Sequence, residues 1–326
     1  MGGAPTTEPG KKETALPVRD GYGKGLVALG KVNPRVVALD ADLQDSTRAI
    51  WFQKEFPDRF IQMGIAEQDM VVTAAGLAAT GKIPFASSFA IFGERAFEQV
   101  RNSIARTKAN VKLAGSHGGI QIGEDGSSAQ CIEDIAIYRA LPNMVVVVPS
   151  DAVEAEKAVF AFAEHQGPCY MRTTRNKLPI THGDDFVFRI GKGEMLRPGN
   201  DVAIIACGSL VAEAVQAAET LKAEGLQARV INMSTIKPLD TALVIQAARE
   251  CGAVVTAEDH NIIGGLGSAV CEVLAEEHPV PVQRVGVRDT FGESGTPAEL
   301  YEKYGLTAKH VAAAARRAVE RKKGKR

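Results

Sequence analysis

The chain has 326 residues, of which 45% are hydrophobic and 24% are charged, as in an ordinary globular protein. Its length predicts about two domains. Lysine and arginine total 38, aspartate and glutamate total 39, and the formal net charge is −1. This balance excludes the basic footprint of a protein that binds nucleic acid or anionic membranes. The longest apolar stretch, Met70–Ala79, is far shorter than the roughly 20 residues that a membrane span requires.

The cysteines and the N-terminal residues indicate the cellular setting. The five cysteines stand singly, without a CxxC pair. This pattern favours buried reduced thiols in a cytoplasmic protein over a disulfide framework or a zinc site. Residues 1–16 are small and polar and lack the apolar core of a signal peptide, so they predict a flexible N-terminal tail.

After the tail, β-rich runs alternate with helical segments, which predicts a first α/β domain at residues 17–190. The predicted strands are Val36–Leu39, Asn110–Leu113, Met144–Val148 and Tyr170–Thr173. The predicted helices are Gly25–Lys31, Gln68–Thr80, Glu94–Thr107, Ile132–Arg139 and Ala152–Glu164. The run of four valines at Val145–Val148 is typical of a parallel strand that helices cover on both faces.

A second series of the same kind follows a polar, glycine-containing linker and predicts a second α/β domain at residues 191–326. Its predicted strands are Val202–Ala206, Ala228–Met233, Ala253–Ala257 and Val282–Val287. Its predicted helices are Val211–Ala223, Thr241–Glu250, Gly267–Glu276, Pro297–Tyr304 and Ala308–Lys322. We expect a mostly parallel sheet with helices on both faces in each domain, and one antiparallel strand in the second.

One candidate for chemistry is Glu67, in the run Met63–Met70. Gly64 suits a tight turn, and Glu67 falls at the start of a helix, where the helix dipole and free N–H groups favour a carboxylate. From the residues alone, a glutamate that only stabilises the first turn is the simpler interpretation.

Other candidates lie near the ends of predicted strands. Phe89 and Phe92 are three residues apart, the spacing of a core pair or of a ring platform for a ligand. His117 and Asp125 belong to a glycine-rich loop at a strand end, where ligands bind in α/β sheets. Arg175 is suited to an anion or to one of the protein's own carboxylates. The chain has no GxGxxG or P-loop motif, and the GGLG at Gly264–Gly267 is a weak phosphate signal.

Taken together, these segments resemble the thiamine-diphosphate enzymes of the transketolase family. GIAEQDM resembles the family's glutamate motif, SSFAIFGERAFEQVR its aromatic motif, SHGGIQIGEDG its substrate loop and TRNKLP its arginine motif. IKPLD, EDHNIIGGLGSAV and FGESG resemble its C-terminal domain. The resemblance covers roughly residues 17–315, in the family's order, and implies a pyrimidine-binding domain followed by a transketolase C-terminal domain.

The resemblance also implies a second polypeptide. In this family a GDG motif with a distant Asn, in another domain, holds the diphosphate and its metal, and the chain has no such GDG. The chain is therefore expected to be the C-terminal subunit of a split transketolase that moves a two-carbon ketol unit from a ketose phosphate to an aldose phosphate. An N-terminal subunit would carry the diphosphate domain with Mg²⁺ or Ca²⁺, in an α2β2 assembly of the pentose phosphate pathway.

The family's site residues carry over onto matching positions. Glu67 would lie against N1′ of the aminopyrimidine, and Glu67 and His117 would be the catalytic residues. The remaining cofactor contacts implied by the resemblance are Asp42, Phe89, Phe92 and Arg95. The substrate contacts are His117 and Asp125, for sugar hydroxyls, and Ser46 and Arg175, for the phosphate. One departure is Ala129, where many family members have a His or Gln; its side chain offers no proton or hydrogen bond.

Three alternatives remain open at this stage. The first is the β subunit of a 2-oxoacid dehydrogenase E1 component, which has a similar length and an equivalent glutamate. The second is a deoxyxylulose-phosphate synthase, since these enzymes also have an arginine at the position of Arg95. A non-catalytic scaffold paralogue is the third, and Ala129 motivates it. The GEDG and FGESG segments favour a transketolase over the dehydrogenase subunit, and a scaffold has no chemical need for Glu67, His117, Asp125 and Arg175.

Overall fold

The structure is a computed structural model, and it describes residues 13–324. The strands are β1 (Ala15–Pro17), β2 (Val36–Asp40), β3 (Phe60–Gln62), β4 (Ile83–Phe89), β5 (Lys112–Ser116), β6 (Val145–Val147), β7 (Cys169–Thr173), β8 (Lys177–Pro179), β9 (Glu194–Arg197), β10 (Val202–Ala206), β11 (Ala228–Asn232), β12 (Thr235–Lys237), β13 (Val254–Asn261) and β14 (Val282–Val287).

The α-helices are α1 (Val18–Val32), α2 (Gln44–Thr47), α3 (Ala49–Glu55), α4 (Glu67–Ala79), α5 (Ala90–Gly93), α6 (Phe97–Gln99), α7 (Asp134–Ala140), α8 (Ala152–Glu164), α9 (Leu210–Ala223), α10 (Thr241–Cys251), α11 (Leu266–Glu277), α12 (Pro297–Lys303) and α13 (Ala308–Lys323). Short 3₁₀ turns occupy Pro57–Arg59, Glu94–Ala96 and Ile120–Asp125, and Val100–Ala105 is a π-helix. None of the helices between residues 13 and 324 has both the length and the apolar character that crossing a membrane requires.

The chain forms two compact units. The N-terminal unit contains residues up to Gly118, Leu141–Met144 and Asp151–Arg189, and the C-terminal unit contains Gly119–Ala140, Val145–Ser150 and the residues from Ile190 onward. Two segments inside the predicted first domain therefore belong to the C-terminal unit. One of them is the glycine-rich loop that carries Asp125.

Five parallel strands form the sheet of the N-terminal unit, in the order β7–β5–β4–β2–β3. Their registers bring the strand ends level, so that Phe89 lies beside Ser116 and Ser116 beside Thr173. Helix α4 packs on β2 and β4, whereas α1 packs against α3, α8, β2 and β7. The carboxyl ends of these strands therefore lie at the same edge of the sheet.

The C-terminal unit has a sheet in the order β14–β13–β10–β11–β9. Its strands are parallel except β9, which runs antiparallel to β11, as predicted. Helices α9 and α13 pack together on this sheet, and α10 and α11 form a second pair on it. The apolar run of β10, Val202–Ala206, is fully buried, as expected for a strand covered on both faces. The predicted α/β class is confirmed for both sheets.

Several local predictions differ from the structure. Strand β4 was not predicted, since Ile83–Phe89 contains a proline and two serines that favour a loop. Helix α1 begins at Val18, seven residues before the predicted start, because its glycines weaken the helical pattern. Most of the predicted flexible tail lies outside the described residues, but Ala15 and Leu16 belong to β1, which pairs with β8.

The cysteines match their prediction. All five are free, four of them are buried, and Cys271 is half-buried.

The buried carboxylate of Asp151 anchors residues 181–182, near the C-terminal end of the N-terminal unit. Asp151 is fully buried and caps α8 by accepting a hydrogen bond from the Glu154 N–H at 2.8 Å. It also accepts from the N–H of Thr181 at 2.7 Å and from Nδ1 of His182 at 2.8 Å. Burial raises the pKa of Asp151, but these bonds, with His182 the strongest, outweigh it and bring the pKa to about 2. Asp151 thereby ties residues 181–182 to the start of α8.

We predict that Asp151→Asn lowers the free energy of unfolding by about 3 kcal/mol at pH 7, because the buried donors around it, His182 among them, lose a charged acceptor. The Asp151 pKa is lower in the folded chain than the ordinary value near 4, so the carboxylate stabilises the fold above about pH 4. That stabilisation is lost as the pH falls toward about 2. Urea unfolding should therefore show a smaller difference between variant and wild type at pH 3 than at pH 7.

The matched control is Asp185→Asn, a change at an exposed aspartate of the same segment. It should leave the unfolding midpoint unchanged at both pH values. A difference for Asp151→Asn that is the same at pH 3 and pH 7 would contradict the role of its charge.

Candidate active site

The carboxyl edge of the parallel sheet in the N-terminal unit collects most of the predicted site residues. Asp42 follows β2, Phe89 ends β4, His117 follows β5 and Arg175 follows β7. The Phe89 and His117 rings stack with centroids 3.9 Å apart. Ligands bind outside the carboxyl ends of parallel strands in α/β sheets, so a binding site is expected at this edge.

Glu67 and the aromatic pair form a continuous series of contacts. Glu67 is the first residue of α4 and is only 4% exposed. Both of its oxygens lie 3.4 Å from Nη1 of Arg95. The Arg95 guanidinium lies 4.8 Å from the centre of the Phe92 ring, which is nearly parallel to Phe89 at 5.6 Å. A buried carboxylate thus stands beside two half-buried aromatic rings, with a partly exposed cation between.

His117 continues this series beyond Phe89. It is buried, with a left-handed φ of 63°, and its Nδ1 lies 2.8 Å from Oγ of Ser116. Its Nε2 lies 3.4 Å from Nη1 of Arg19. Arginine only donates, so Nε2 accepts and the proton is assigned to Nδ1, which donates to Ser116. Burial, followed by the charges of Arg19, Arg175 and Arg48, lowers the pKa of His117 to about 3. The imidazole is therefore neutral at physiological pH.

Three arginines converge near His117. Burial and the charges of Arg48 and Arg175 lower the pKa of Arg19 to about 10, against an opposing effect of Asp20. Asp20 pairs with Nε of Arg48 at 2.6 Å. Arg19 donates from Nη1 to the Ser46 carbonyl at 3.0 Å, and its buried Nε has no hydrogen-bond partner among the described residues. The positive charges of Arg19, Arg48 and Arg175 around His117 suit a phosphate or a similar anion.

Sequence reasoning missed Arg19 and Arg48. Neither belongs to a local motif, and the contact of Arg19 with His117 joins residues 98 positions apart. The contact at Ser46 uses its backbone carbonyl, so the residue type at this position carries no signal for it.

The loop after β2 places Asp42 at the same edge. Asp42 is exposed, with a φ of 63°, and its N–H donates to Oε1 of Gln62 at 3.0 Å. The same oxygen accepts from the N–H of Gly64 at 2.9 Å, so Gln62 joins the Asp42 loop to the turn that precedes Glu67. Gln62 is a third residue that sequence reasoning missed.

The buried acid Asp40 stabilises the loop that carries Asp42. Asp40 is fully buried and accepts from the Leu43 N–H and the Thr47 hydroxyl, both at 2.6 Å. Burial raises the pKa of Asp40 to about 7, although both hydrogen bonds oppose this shift. Its two acceptor oxygens hold the chain from Asp40 to Thr47 in the turn that carries Asp42 and Ser46.

Asp125 lies in the C-terminal unit, at the end of the turn Ile120–Asp125. It is exposed, and Ala129, the departure from the family pattern, is half-buried. The structure therefore joins Glu67, Phe89, Phe92, Arg95 and His117 by direct contacts in one unit. It places Ser46 and Arg175 near them through the arginine cluster, and it assigns Asp125 to the other unit.

The GGLG turn is filled by the chain itself. Glu258 is fully buried and accepts from the N–H groups of Leu266 at 2.7 Å and Gly267 at 2.8 Å. A Cβ atom at position 265 would lie 2.1 Å from Oε2 of Glu258, so glycine is required there. The protein's own carboxylate occupies the helix terminus that a phosphate would use, and the weak phosphate signal was wrong.

Comparisons with known proteins place both units in one family. The family model for the transketolase pyrimidine-binding domain matches residues 14–181, and the model for the transketolase C-terminal domain matches residues 191–311. A transketolase C-terminal section from Methanocaldococcus jannaschii is 47% identical, over 90% of this chain and 94% of that protein. A 6-deoxy-6-sulfo-D-fructose transketolase subunit from a Clostridium species is 44% identical, over 94% and 95%.

Longer relatives match along part of their length. Human transketolase is 40% identical over 92% of this chain, which spans 49% of that protein. Among solved structures, a split-gene transketolase in an inactive β4 tetramer is 52% identical, with a TM-score of 0.89 over 94% of this chain and 99% of that one. Transketolase from Campylobacter jejuni is 25% identical, with a TM-score of 0.79 over 94% and 47%. Two matching domains and relatives covered nearly end to end show that this chain belongs to the transketolase family.

Proposed function

We propose that the chain is one subunit of a thiamine-diphosphate-dependent transketolase, which moves a two-carbon ketol unit from a ketose phosphate to an aldose phosphate. The observation that carries this proposal is the unbroken series Glu67, Arg95, Phe92, Phe89 and His117 at one sheet edge. Residues 17–190 would form the pyrimidine-binding domain and residues 191–326 the C-terminal domain. A cytoplasmic location and a place in the pentose phosphate pathway are parts of the same proposal.

The proposal includes a second subunit that supplies the diphosphate-binding domain and most of the ligands for Mg²⁺ or Ca²⁺. Two of the relatives that this chain covers almost completely are described as a C-terminal section and as a separate transketolase subunit. A third is described as an inactive tetramer of β chains. These descriptions support an enzyme made of two kinds of chain, for which we propose an α2β2 arrangement.

The residues present fit the aminopyrimidine ring of thiamine diphosphate. A flat heteroaromatic ring needs an aromatic surface and a carboxyl group that shares a proton with its nitrogen, and Phe92 and the buried Glu67 offer both. Glu67 would hold a proton at N1′, Phe92 would stack on the ring, and Phe89 would lie beside it. Arg95 orients the Glu67 carboxylate, and Asp42 is proposed as a further contact. The cofactor, when bound, supplies the carbanion chemistry that ketol transfer requires.

The arginine cluster and His117 are the proposed substrate contacts. Arg175 and the Ser46 segment would bind the phosphate of the sugar. Arg19 joins them, since its buried Nε has no hydrogen-bond partner among residues 13–324. Nε2 of the neutral His117 imidazole would accept a hydrogen bond from a sugar hydroxyl. Asp125 would hydrogen-bond a second hydroxyl.

A sulfonated ketose is a second candidate substrate. The relative from Clostridium is described as acting on 6-deoxy-6-sulfo-D-fructose. The excess of arginine at this edge suits the three oxygens of a sulfonate as well as those of a phosphate. Comparing the rates with a phosphorylated and a sulfonated donor of the same carbon skeleton decides between them.

The first test of the proposed function changes Glu67. In the complex reconstituted with its N-terminal subunit, Glu67→Gln keeps the shape of the side chain but removes the carboxyl proton exchange. We expect ketol transfer to fall by about 10²- to 10⁴-fold, the range of a lost acid–base group. Size-exclusion chromatography should show that the complex still assembles.

The matched control for Glu67 is Asp69→Asn, which changes an exposed acid in the first turn of the same helix. It should retain nearly full activity. If the assembled Glu67→Gln complex turned over substrate at the wild-type rate, Glu67 would have no catalytic role. That result would favour the alternative in which the chain is a non-catalytic scaffold.

The second test concerns the anion site. Arg19→Gln should raise KM for a ketose phosphate by about 10- to 100-fold, because a hydrogen bond to a charged group contributes about 1.5–3 kcal/mol. The kcat should change little, and KM for an unphosphorylated ketose should stay the same. Arg35→Gln, at an exposed arginine of the same unit, is the control. Equal losses with both ketoses would show that Arg19 does not bind the phosphate.

A further inference from the structure

The loop that carries Asp125 is built by the C-terminal unit. We call residues 119–126 the Asp125 loop. It contains three glycines with left-handed φ angles, Gly119, Gly123 and Gly126, between 79° and 82°. Glycine permits many backbone conformations, so such a loop holds one conformation only if other groups fix it. Contacts from more distant parts of the same unit do this.

Asp259 fixes the start of the Asp125 loop. It is 4% exposed, and its carboxylate accepts hydrogen bonds from the N–H of Ile120 at 2.9 Å and of Gln121 at 3.3 Å. These are the first N–H groups of the turn Ile120–Asp125, which have no acceptor inside a helical turn. A Cβ atom at position 119 would lie 2.2 Å from Oδ2 of Asp259. Gly119 is therefore needed for the carboxylate to approach.

Tyr301 holds Asp259 in turn. The Tyr301 hydroxyl donates to Oδ2 of Asp259 at 3.0 Å and lies 2.7 Å from Oγ of Ser209. Burial, with the charge of Asp259 next, raises the pKa of Tyr301 well above its ordinary value. The phenol therefore keeps its proton and remains a donor to the carboxylate, and it accepts from Ser209.

Gln130 fixes the middle of the loop. It is 2% exposed, and its Nε2 donates to the Gly123 carbonyl at 3.3 Å and to the Glu293 carbonyl at 2.9 Å. The start and the middle of the loop thus depend on side chains that lie up to 139 positions away in the sequence.

We propose that Asp259 is a positioning residue for sugar recognition. By accepting hydrogen bonds from the N–H groups of Ile120 and Gln121, it determines the conformation in which the loop presents the Asp125 carboxylate. This inference rests on the proposed function, in which Asp125 hydrogen-bonds a hydroxyl of the sugar. The C-terminal unit thereby controls sugar affinity through Asp259 and Tyr301.

Kinetics of the reconstituted complex test the proposal. Asp259→Asn should raise KM for the ketose phosphate by about 10-fold and change kcat by less than about twofold, as expected when binding alone is weakened. In an Asp125→Ala background the same substitution should change KM by less than about twofold, because residues that act through one group are not additive. Independent, multiplying effects on KM would show that Asp259 does not act through Asp125 and would overturn the proposal.

Hydrogen–deuterium exchange of this chain by itself provides a readout that does not depend on activity. Asp259→Asn should speed exchange at the amides of Ile120 and Gln121 by at least about 10-fold, since both lose a charged acceptor. Tyr301→Phe, the milder variant for the case in which Asp259→Asn does not fold, should do the same to a smaller extent. Unchanged exchange in both variants would overturn the proposal even if KM rises. A wild-type complex without ketol transfer would refute the proposed function instead.

The matched control is Asp240→Asn. Asp240 is another buried aspartate of the C-terminal unit, and it accepts from two backbone N–H groups, those of Leu243 at 3.2 Å and Gly193 at 3.3 Å. Neither group belongs to the Asp125 loop. This variant should leave both KM and the exchange of Ile120 and Gln121 unchanged, and a rise in either would show that any buried aspartate of the unit has the same effect.

Discussion

The level carboxyl ends of β7, β5, β4 and β2 are the constraint on which the candidate site depends. Parallel pairing with matched registers brings the residues that follow four separate strands to one edge. At that edge the charges of Arg19, Arg48 and Arg175 all act on His117, and Asp20 opposes them at Arg19. The three arginines are all half-buried, and an anion that completes the site would offset the cost of removing their charges from water. Burial and the same positive charges lower the pKa of His117, so one arrangement both favours an anionic substrate and keeps the imidazole neutral.

The C-terminal unit uses its buried acids for a different purpose. Glu258 and Asp259 are consecutive residues of β13, and each accepts two backbone N–H groups at the start of a helical turn. Glu258 closes the terminus of α11, where a free phosphate could otherwise bind. Asp259 closes the terminus of the Asp125 loop. Adjacent side chains of a strand point to opposite faces, so one short segment can hold two turns on two sides of the sheet.

The sequence predicted those features that depend on local patterns. Glu67 at a helix start, Phe89 with Phe92, and His117 after a strand all follow from motifs of a few residues, and the structure brings them together. Strand β4 was not predicted because its proline and serines favour a loop when only the local sequence is considered. In the structure, pairing with β2 and β5 makes this segment a strand. Arg19 and the role of Asp259 depend on contacts between residues 98 and 139 positions apart, which no periodicity or local spacing records. The proposed catalytic, cofactor-binding and substrate-binding roles of all these site residues stay predictions.

Complementation tests the central claim most directly. This chain, an N-terminal polypeptide that carries the diphosphate-binding domain of the proposed enzyme, and their mixture would each be assayed for ketol transfer with thiamine diphosphate and Mg²⁺. The account predicts that neither chain transfers a ketol unit alone, that the mixture does, and that the activity is lost when the cofactor is left out. A mixture that assembles but transfers nothing, or transfer by this chain alone, would contradict the account.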